Sequence, residues 1–362
     1  MTKYLLITTS VAALALALAP PSFAGDDSAT IVQSGGSSNY ASQHQPGNAH
    51  GNVAYINQTG DTQSSATQEQ WRNLFGADFA VNSHQAINQS NNTKSTASQK
   101  DNGNGGDVQT ANQSNNLTNG GTGTSVIQTI NSPTGFNNTQ SSTQSNNYGS
   151  SVQQTMGVSD YNTSQLYKNK QSASQSWQVG SSINQVIDGA SHDNTQSATE
   201  TSTSGYGYGN SISQTILASY SDKQTATIGG TGGSSNNSIT QNQQAGSHDE
   251  SQTASITSGN SNTIDQLQAA GSYSNTQTVT VNGSHSGRAL QFQGAGVTGN
   301  SETISQYGGG TGNQAGQAQG NNNNIASISQ SGGSGNMAIQ NQGINSGTTG
   351  FMYISGGTVH RQ

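Results

Sequence analysis

Two adjacent His-Asp pairs are the residues in this sequence best suited to chemistry. His192-Asp193 and His248-Asp249 occur at equivalent points of a repeating pattern. A histidine beside a carboxylate can bind a metal ion or serve as a general acid–base pair. In an extended strand, however, adjacent side chains point to opposite faces. Duplication of one turn explains both pairs, and we expect no catalytic residue, no cofactor and no metal site.

The remaining charged residues also argue against an enzyme. The 16 acidic residues are scattered along the chain, whereas a polysaccharide-cleaving β-helix needs carboxylates clustered on one face. The glycine-rich runs lack the Lys-Ser/Thr of a phosphate-binding loop. The formal net charge of −7 leaves no basic footprint for nucleic acid. These features favour a structural or binding protein.

Composition excludes an ordinary globular domain. Apolar residues make up 28% and charged residues 7% of the 362 residues, against about 45–50% and about 25% in soluble domains. Glycine contributes 47 residues, cysteine is absent, and Asn, Gln, Ser and Thr fill most of the rest. Such a chain cannot bury a large mixed core. The composition is typical of prion-like disorder or of a polar β-stack.

The N-terminus has the three-part layout of a secretory signal peptide. Lys3 precedes an apolar run that ends at Pro20, and small residues precede the junction between Ala24 and Gly25. We predict a signal peptide over residues 1–24, cleaved between Ala24 and Gly25, and an export or targeting segment over 25–38. No later stretch is apolar enough to cross a bilayer. The mature chain is therefore expected to be exported and to have no membrane span.

The rest of the chain repeats, with key residues at every second position. One segment type reads Asn-x-small-x-Ile-x-Gln in full or in part, and its members are Asn52, Ala54, Ile56, Gln58; Ile183, Gln185; Ile212, Gln214; Ile239, Gln241; Ile264, Gln266; Ile304, Gln306; and Asn324, Ala326, Ile328, Gln330. A second type alternates with it, at Gln196, Ala198; Gln224, Ala226; Gln252, Ala254; and Gln277, Val279. A period of two places each set on one face of a β-strand.

A repeat of about 25–30 residues with two short strands predicts a stacked array. We predict an all-β fold, a β-solenoid with two strands per coil, in which buried Gln and Asn form amide ladders. The repeat region is expected over residues 39–350, followed by a C-terminal cap or tail over 351–362. The segment from Trp71 to Ala80 is out of pattern, as an irregular aromatic coil or a docking patch.

The two ends of such a stack would carry open strand edges. Most proteins block exposed edges with charge, proline or bulges. Charges are sparse here, and the candidates are Asp193, Asp222 and Asp249. These residues are either gatekeepers that slow self-association or solubilising residues of turns.

The half-repeat Asn-x-Ala-x-x-x-Gln-x-Gly resembles the curlin repeat of bacterial curli amyloid subunits. It stands at Asn39, Ala41, Gln45, Gly47; at Asn52, Ala54, Gln58, Gly60; and at Asn324, Ala326, Gln330, Gly332. The resemblance implies a β-solenoid that polymerises into extracellular pilus-like fibres for surface adhesion and biofilm matrix. It also implies partners: further copies of the chain, other curli-type subunits or a nucleator, an outer-membrane export channel and its accessory proteins.

Two functions follow as expectations. The first is a secreted structural subunit that self-assembles into curli-like amyloid fibres at the surface of a bacterium. The alternative is a monomeric β-solenoid binding module, such as an ice- or carbohydrate-binding adhesin. Its working surface would be the Thr/Ser strand faces at Thr195, Ser197, Thr199, Thr225 and Thr227. Concentration-dependent polymerisation separates the two.

Overall fold

A computed structural model describes residues 5–9, 28–45, 51–70, 82–102, 105–118, 123–131, 135–157, 166–231, 234–344 and 349–362. Across these residues the regular structure is β-strand, and no helix occurs. The chain divides into unit 1, Met1–Gly180 with Val186–Ala190, and unit 2, Ser181–Gln185 with Ser191–Gln362. The proposed cleavage site at Ala24-Gly25 and the segment Trp71 to Ala80 lie outside the described residues.

The described strands of unit 1 are short and regularly spaced. In chain order they are β1 Leu5–Thr9, β2 Ser28–Ser34, β3 Asn39–His44, β4 Val53–Thr59, β5 Ser65–Gln70, β6 His84–Ser90, β7 Thr96–Asp101, β8 Val108–Ser114, β9 Ser125–Ile130, β10 Thr139–Ser145, β11 Ser151–Met156, β12 Leu166–Tyr167, β13 Lys170–Ser176 and β14 Gln178–Val179.

Unit 2 continues the pattern, and the boundary between the units falls within its first strand. Its described strands are β15 Ser182–Asp188, β16 Ser191–His192, β17 Thr195–Ser204, β18 Gly207–Tyr208, β19 Ser211–Leu217, β20 Lys223–Thr231, β21 Ser238–Gln243, β22 Ser251–Ser258, β23 Thr263–Gln268, β24 Thr276–Asn282, β25 Arg288–Gln293, β26 Ser301–Tyr307, β27 Gln314–Gln319, β28 Ile325–Ser331, β29 Met337–Gln342, β30 Met352–Ser355 and β31 Thr358–Arg361.

Each unit contains two parallel sheets, and each coil contributes one strand to each sheet. In unit 1, sheet A has the order β3-β5-β7-β9-β11 and sheet B has the order β2-β4-β6-β8-β10-β13. In unit 2, the orders are β15-β19-β21-β23-β25-β27-β29 for sheet A and β17-β20-β22-β24-β26-β28 for sheet B. This architecture confirms the predicted β-solenoid with two strands per coil.

The register places like residues above one another. Ile56 pairs with Ile87 in sheet B of unit 1, and Gln214 pairs with Gln241 in sheet A of unit 2. Along strand β19 the side chains alternate between buried and half-buried, as a period of two requires. Two strands alone have too little core to be stable, so each coil depends on its neighbours in the stack.

Glycine allows the tight turns between the strands of a coil. Gly35 and Gly36 have φ values of 65° and 75°, a left-handed conformation that a side chain disfavours. At Gly36 a Cβ atom would also lie 1.8 Å from the carbonyl oxygen of Asp61 in the next coil. The turn therefore needs glycine both for its conformation and for the close approach of the next coil.

The division of the repeats into two strand types does not match the two sheets. Strand β4, which carries Ile56 and Gln58, lies in sheet B, whereas β23, which carries Ile264 and Gln266, lies in sheet A. Strands β26 and β28 also lie in sheet B. The physical reason is that both sheets present similar rows of small, apolar and amide side chains inward. The parity of a residue, meaning its place in the two-residue alternation, therefore identifies the buried face of a strand but does not identify the sheet to which the strand belongs.

The two ends of the chain add strands to this pattern. Strand β2 pairs with β4 in register, so the stack begins before Asn39. Strand β1 pairs antiparallel with β3. At the other end β30 and β31 form an antiparallel hairpin. This hairpin packs on the outward face of sheet A, where a buried cluster contains Leu290, Phe292, Ala318, Met352 and Val359.

Polar contacts fix the hairpin to four successive strands. Arg361 reaches Asp265 on β23 at 3.1 Å between Nη2 and Oδ2, and its guanidinium lies over the ring of Phe292 on β25. Val359 donates its backbone N–H to Gln314 on β27. Asn341 on β29 exchanges two hydrogen bonds with the backbone of Met352. The C-terminal segment therefore lies along the side of the sheet.

Candidate functional site: amide ladders and terminal coils

Glutamine side chains form a continuous ladder inside sheet A of unit 2. Gln185 donates from Nε2 to Oε1 of Gln214, Gln214 to Gln241, and Gln241 to Gln266, each over 2.7 Å. Gln214 Nε2 also donates to the backbone oxygen of Ser197 in sheet B, at 3.1 Å. The ladder therefore satisfies the buried amides and links the two sheets.

Sheet B of unit 2 carries a second ladder. Gln196 donates to Gln224, Gln224 to Gln252, and Gln252 to Gln277, each over 2.9 Å. Gln277 then donates to a carboxylate oxygen of Glu302, also at 2.9 Å. This ladder ends at Glu302, because the residue paired beyond it is Ala326.

The predicted stacking residues face the interior. The amide members buried at 7% exposure or less are Asn52, Gln58, Gln185, Gln196, Gln214, Gln224, Gln241, Gln252, Gln266, Gln277, Gln306 and Gln330. The apolar members buried at 8% or less are Ala54, Ile56, Ile183, Ala198, Ile212, Ala226, Ile239, Ala254, Ile264, Val279, Ile304, Ala326 and Ile328. Asn324, at the start of β28, is half-buried.

The ladders have a direction: in the bonds between glutamine side chains given above, Nε2 donates toward the coil that follows in the chain. A glutamine that begins a row consequently lacks a donor for its own oxygen. Buried Oε1 atoms without a partner occur at Gln85, Gln243 and Gln306, because the residues paired on their upstream side, Ala54, Ile216 and Val281, have no amide.

Gln33 Oε1 is also buried without a partner in the described structure. Its cause is different, because β2 begins sheet B of unit 1 and none of the earlier residues that the structure describes pairs with it. Gln33 itself donates to Gln58 at 2.6 Å. The row is therefore complete on its downstream side and open on its upstream side.

We call residues 28–45 the N-terminal coil and residues 325–342 the C-terminal coil. Strands β28 and β29 of the C-terminal coil each pair with a strand on one side only. The inward residues of β29, including Ala338 and Gln340, are half-buried. Gln306 donates to Gln330 Oε1 at 2.9 Å, and Gln330 Nε2 donates to the backbone oxygens of Gln314 and Asn336, at 2.9 and 3.1 Å. Among the described residues, the C-terminal coil therefore presents open strand edges on its downstream side.

The N-terminal and C-terminal coils carry the same inward residues at the same spacing. The matching pairs are Ala29 and Ala326, Ile31 and Ile328, Gln33 and Gln330, Asn39 and Asn336, Ala41 and Ala338, Gln43 and Gln340, and Gln45 and Gln342. The turn between the strands is Ser-Gly-Gly-Ser in both coils. Its glycines have similar φ values, 65° and 75° at Gly35 and Gly36, and 61° and 70° at Gly332 and Gly333.

The three aspartates proposed as gatekeepers have different environments. Asp193 and Asp249 lie in turns at φ values of 58° and 56°, with side chains that are 51% and 61% exposed. Asp222 is only 1% exposed, and its Oδ1 accepts the backbone N–H of Glu250 at 2.9 Å. Asp222 is therefore a buried rung between two coils and not a solvent-facing turn charge.

The expectation that each His-Asp pair would diverge is wrong. His192 Nδ1 lies 3.2 Å from Asp193 Oδ2, and the same distance separates the atoms of His248 and Asp249. The rule for extended strands does not apply, because each aspartate has a left-handed backbone that turns its carboxylate toward the preceding ring.

The two histidines belong to an exposed ring stack. Tyr220 lies between His192 and His248, with ring centroids 4.8 and 5.1 Å apart, and Tyr273 follows at 5.0 Å. The planes are within 7° of parallel in each pair. In the part of the chain that the structure describes, no group of three or more His, Asp or Glu side chains could hold a metal ion.

Sequence reasoning did not single out the inward acidic residues as buried carboxyls. Asp61, Asp107, Glu250 and Glu302 are each 1% exposed or less. A signal was present for two of them: Glu250 precedes Gln252 as Asn194 precedes Gln196, and Glu302 precedes Ile304 by two residues. The same parity that identified the amides therefore placed both carboxyls inside.

Comparisons with known proteins leave the family open. No protein-family model matches the chain, and no curated protein matches it significantly. Among the described residues there is no helix of the length and hydropathy that a membrane span requires.

Proposed function

We propose that this protein is a secreted structural subunit that assembles, coil upon coil, into extracellular amyloid-like fibres. In this arrangement the C-terminal coil of one copy receives the N-terminal coil of the next. Every strand edge inside the fibre is then paired, and the sheets run on from copy to copy. Stacked, in-register strands with amide ladders are the architecture of stable fibrils.

The observation that carries the proposal is the agreement between the two terminal coils. Residues with identical inward side chains stack best in a parallel in-register sheet, because apolar rows stay apolar and amides meet amides. Gln330 of one copy would donate to Gln33 Oε1 of the next copy, an acceptor that has no partner among the described residues of the single chain. The coil boundary between two copies would then resemble a boundary inside one copy.

Exposure of the end residues supports the same arrangement. Ala29 is exposed, and Ile31 and Gln33 are half-buried, whereas the inward residues of interior coils such as Ile56 and Gln58 are fully buried. Ala338 and Gln340, which face inward in the C-terminal coil, are also half-buried. Stacking one coil on the other would bury these residues and supply the hydrophobic free energy of about 25 cal/mol per Å² of apolar surface.

The signal-peptide pattern and the curlin-like half-repeats extend the proposal to location and partners. We place the fibre at the surface of a bacterium, where it serves adhesion and biofilm matrix. Export through an outer-membrane channel with accessory proteins, and growth from a nucleator or other curli-type subunits, belong to the same proposal. Strand β1 lies within the expected signal peptide, so its removal would free the edge of β3 that it covers.

Charge placed on the open inward face tests the proposal. We would prepare the chain from Gly25 with Gln340→Glu, add it to seeds of the unaltered chain, and follow elongation by thioflavin fluorescence. The carboxylate would face the amide row of the next copy without solvent, and a buried unpaired charge costs several kcal/mol. Elongation should fall at least tenfold.

The matched control is Ser329→Glu, which places the same charge on the exposed outward face of the C-terminal coil. This variant should elongate at nearly the rate of the unaltered chain. Equal rates for Gln340→Glu and the unaltered chain would mean that this coil does not receive the next copy.

The second candidate function is a monomeric binding module, and the outward face of sheet B in unit 2 favours it. Hydroxyl side chains line up there from strand to strand: Thr225 pairs with Thr253, Thr253 with Thr278, and Thr278 with Thr303. A regular hydroxyl surface could contact ice or a carbohydrate. A strand-rich monomer that does not grow on seeds and is retained on one of these materials would support this candidate.

A further inference from the structure

A row of side chains at the start of the sheet B strands in unit 2 joins each coil to the next. Asn194 Oδ1 accepts the backbone N–H of Asp222 at 2.8 Å, and Asp222 Oδ1 accepts that of Glu250 at 2.9 Å. Glu250 Oε1 accepts a bond from Asn275 Nδ2 at 2.9 Å. Two carboxyls therefore occupy consecutive rungs of an asparagine ladder.

The side-chain amide of asparagine has a nitrogen that donates hydrogen bonds, and an ionised carboxylate has no donor to replace it. Asn194 Nδ2 donates to the backbone oxygen of Ser219 at 2.8 Å, and Asn275 Nδ2 donates to that of Val297 at 3.0 Å. Glu250 has an oxygen where these residues have a donor, and its Oε2 is buried without a partner. A proton on Glu250 would restore the missing donor.

The surroundings of this pair decide which carboxyl holds a proton. Burial, and after it the nearby Asp222 carboxylate, raise the pKa of Glu250 to about 8, against the lowering effect of hydrogen bonds from Asn275 and Ser272. Burial also raises the pKa of Asp222, against which hydrogen bonds from Glu250 N–H and Ser247 and the charge of His248 act. Glu250 is therefore neutral at pH 7.

The other charged groups near the pair are exposed. Asp249 is 61% exposed and pairs with His248, and Lys223 points outward at the start of β20. Both lie in solvent, where their fields are screened. Their charges therefore do not compensate for the hydration that the Glu250 carboxylate would lose on burial.

Glu302 is a second, independent case. It is fully buried in the glutamine row, and it accepts a bond from Gln277, while its Oε1 has no partner. The residues stacked on either side, Gln277 and Ala326, carry no charge. Burial raises the pKa of Glu302 well above its usual value, and only the bond from Gln277 opposes this.

We propose that the coils of unit 2 form with uptake of protons at Glu250 and Glu302, so that acid favours the folded stack and alkali opposes it. The two carboxyls act as neutral rungs within the amide ladders. The stack therefore responds to the pH of the compartment in which the chain folds.

The sign follows from linkage between protonation and folding. The ordinary pKa of a glutamate such as Glu250 is 4.5. Below that pH both the folded and the unfolded chain hold this proton, and the free energy of unfolding is not reduced. Between that value and about 8 the unfolded chain releases the proton and the folded chain keeps it. Each such carboxyl lowers the folding equilibrium constant about tenfold per pH unit in this window.

Urea unfolding of the full chain, followed by far-UV circular dichroism at pH 5, 6, 7 and 8, tests the proposal. The double variant Glu250→Gln, Glu302→Gln keeps the shape of the neutral rungs and cannot ionise. Between pH 6 and 7, ionisation of the two carboxyls should lower the folding equilibrium constant of the unaltered chain about a hundredfold. This contribution should be absent in the double variant. The control Asp249→Asn removes an exposed charge and should match the unaltered chain.

Proton uptake provides a second readout that does not depend on the variants. Refolding of the unaltered chain at pH 7 in weak buffer should consume about two protons per chain or more. No uptake, or equal pH slopes in the double variant and the unaltered chain, would overturn the proposal. Neither readout requires fibres, so failure here is distinct from failure of the proposed assembly.

Discussion

Gln214 donates from its side-chain nitrogen to the side-chain oxygen of Gln241, 2.7 Å away in the next coil. The same bond recurs from coil to coil, and it explains how a chain with 28% apolar residues forms a buried interior. Within the continuous rows, each buried amide bonds to its neighbours in the row and to the backbone of the opposite sheet. The core therefore needs only narrow rows of alanine, valine and isoleucine beside the ladders.

Removing one rung should destabilise the stack measurably. In Gln241→Ala, Gln214 loses its acceptor and Gln266 loses its donor. A buried polar group without a partner costs about 1–3 kcal/mol, so we expect the free energy of unfolding to fall by about 2–4 kcal/mol. Urea unfolding measures this loss. Thr240→Ala, on the exposed face of the same strand, should change it by less than about 0.5 kcal/mol.

A methyl group at Gly316 should loosen the C-terminal hairpin. A Cβ atom there would lie 2.8 Å from Val359 Cγ1 and 3.3 Å from the sulfur of Met352. Overpacking of this kind costs about 1–3 kcal/mol, which should speed hydrogen exchange at the amides of β30 and β31 about tenfold or more.

Gly229 supplies the matched control for that substitution. It also lies in a strand, but its Cβ would meet only Thr201, at an ordinary contact distance of 3.4 Å. Gly229→Ala should leave exchange in the hairpin unchanged. Equal protection of the hairpin in the Gly316→Ala variant and the unaltered chain would show that Gly316 is not needed for docking.

Unit 1 should show its own pH dependence through Asp61. Its Oδ1 accepts the backbone N–H of Asn92 at 2.7 Å, its Oδ2 has no partner, and burial raises its pKa from 3.8 to about 6. Its contribution is fully present below pH 3.8 and is lost as the pH rises to about 6. The loss is up to about 3 kcal/mol.

Asp61→Asn should remove that dependence, because an amide at this rung does not titrate. We expect the variant to be more stable than the unaltered chain at pH 7 and to show a flatter profile between pH 4 and 6 in thermal unfolding. Asp193→Asn, which alters an exposed turn, should keep the original profile. A variant that is less stable at pH 7 would contradict the assignment.

The fold could be predicted from parity and period, because stacking forces like residues into rows. Parity also placed residues such as Ile239 and Gln252 on the buried face. It could not tell sheet A from sheet B, since Gln58 and Gln266 stand in similar contexts in different sheets. The buried role of Asp222 was missed because charge was taken as a sign of exposure. At this position the side chain must accept a hydrogen bond from the backbone N–H of the next coil, and a buried aspartate can do so.

The terminal hairpin was less predictable for a physical reason. Its docking depends on Leu290, Phe292 and Gly316 lying side by side on an outward face, and these residues are far apart in sequence from Met352 and Val359. Their proximity arises only once the register between β25 and β27 is known. The repeat pattern predicts the rows of inward side chains but does not predict contacts on the outward face of a sheet.

Growth of the chain from Gly25 on its own seeds tests the central claim most directly. We would follow thioflavin fluorescence at micromolar concentration and record fibre diffraction from the product. The account predicts a lag phase that seeds abolish, with reflections near about 4.7 Å and about 10 Å. A strand-rich monomer that stays monomeric in the presence of seeds would contradict assembly through the terminal coils.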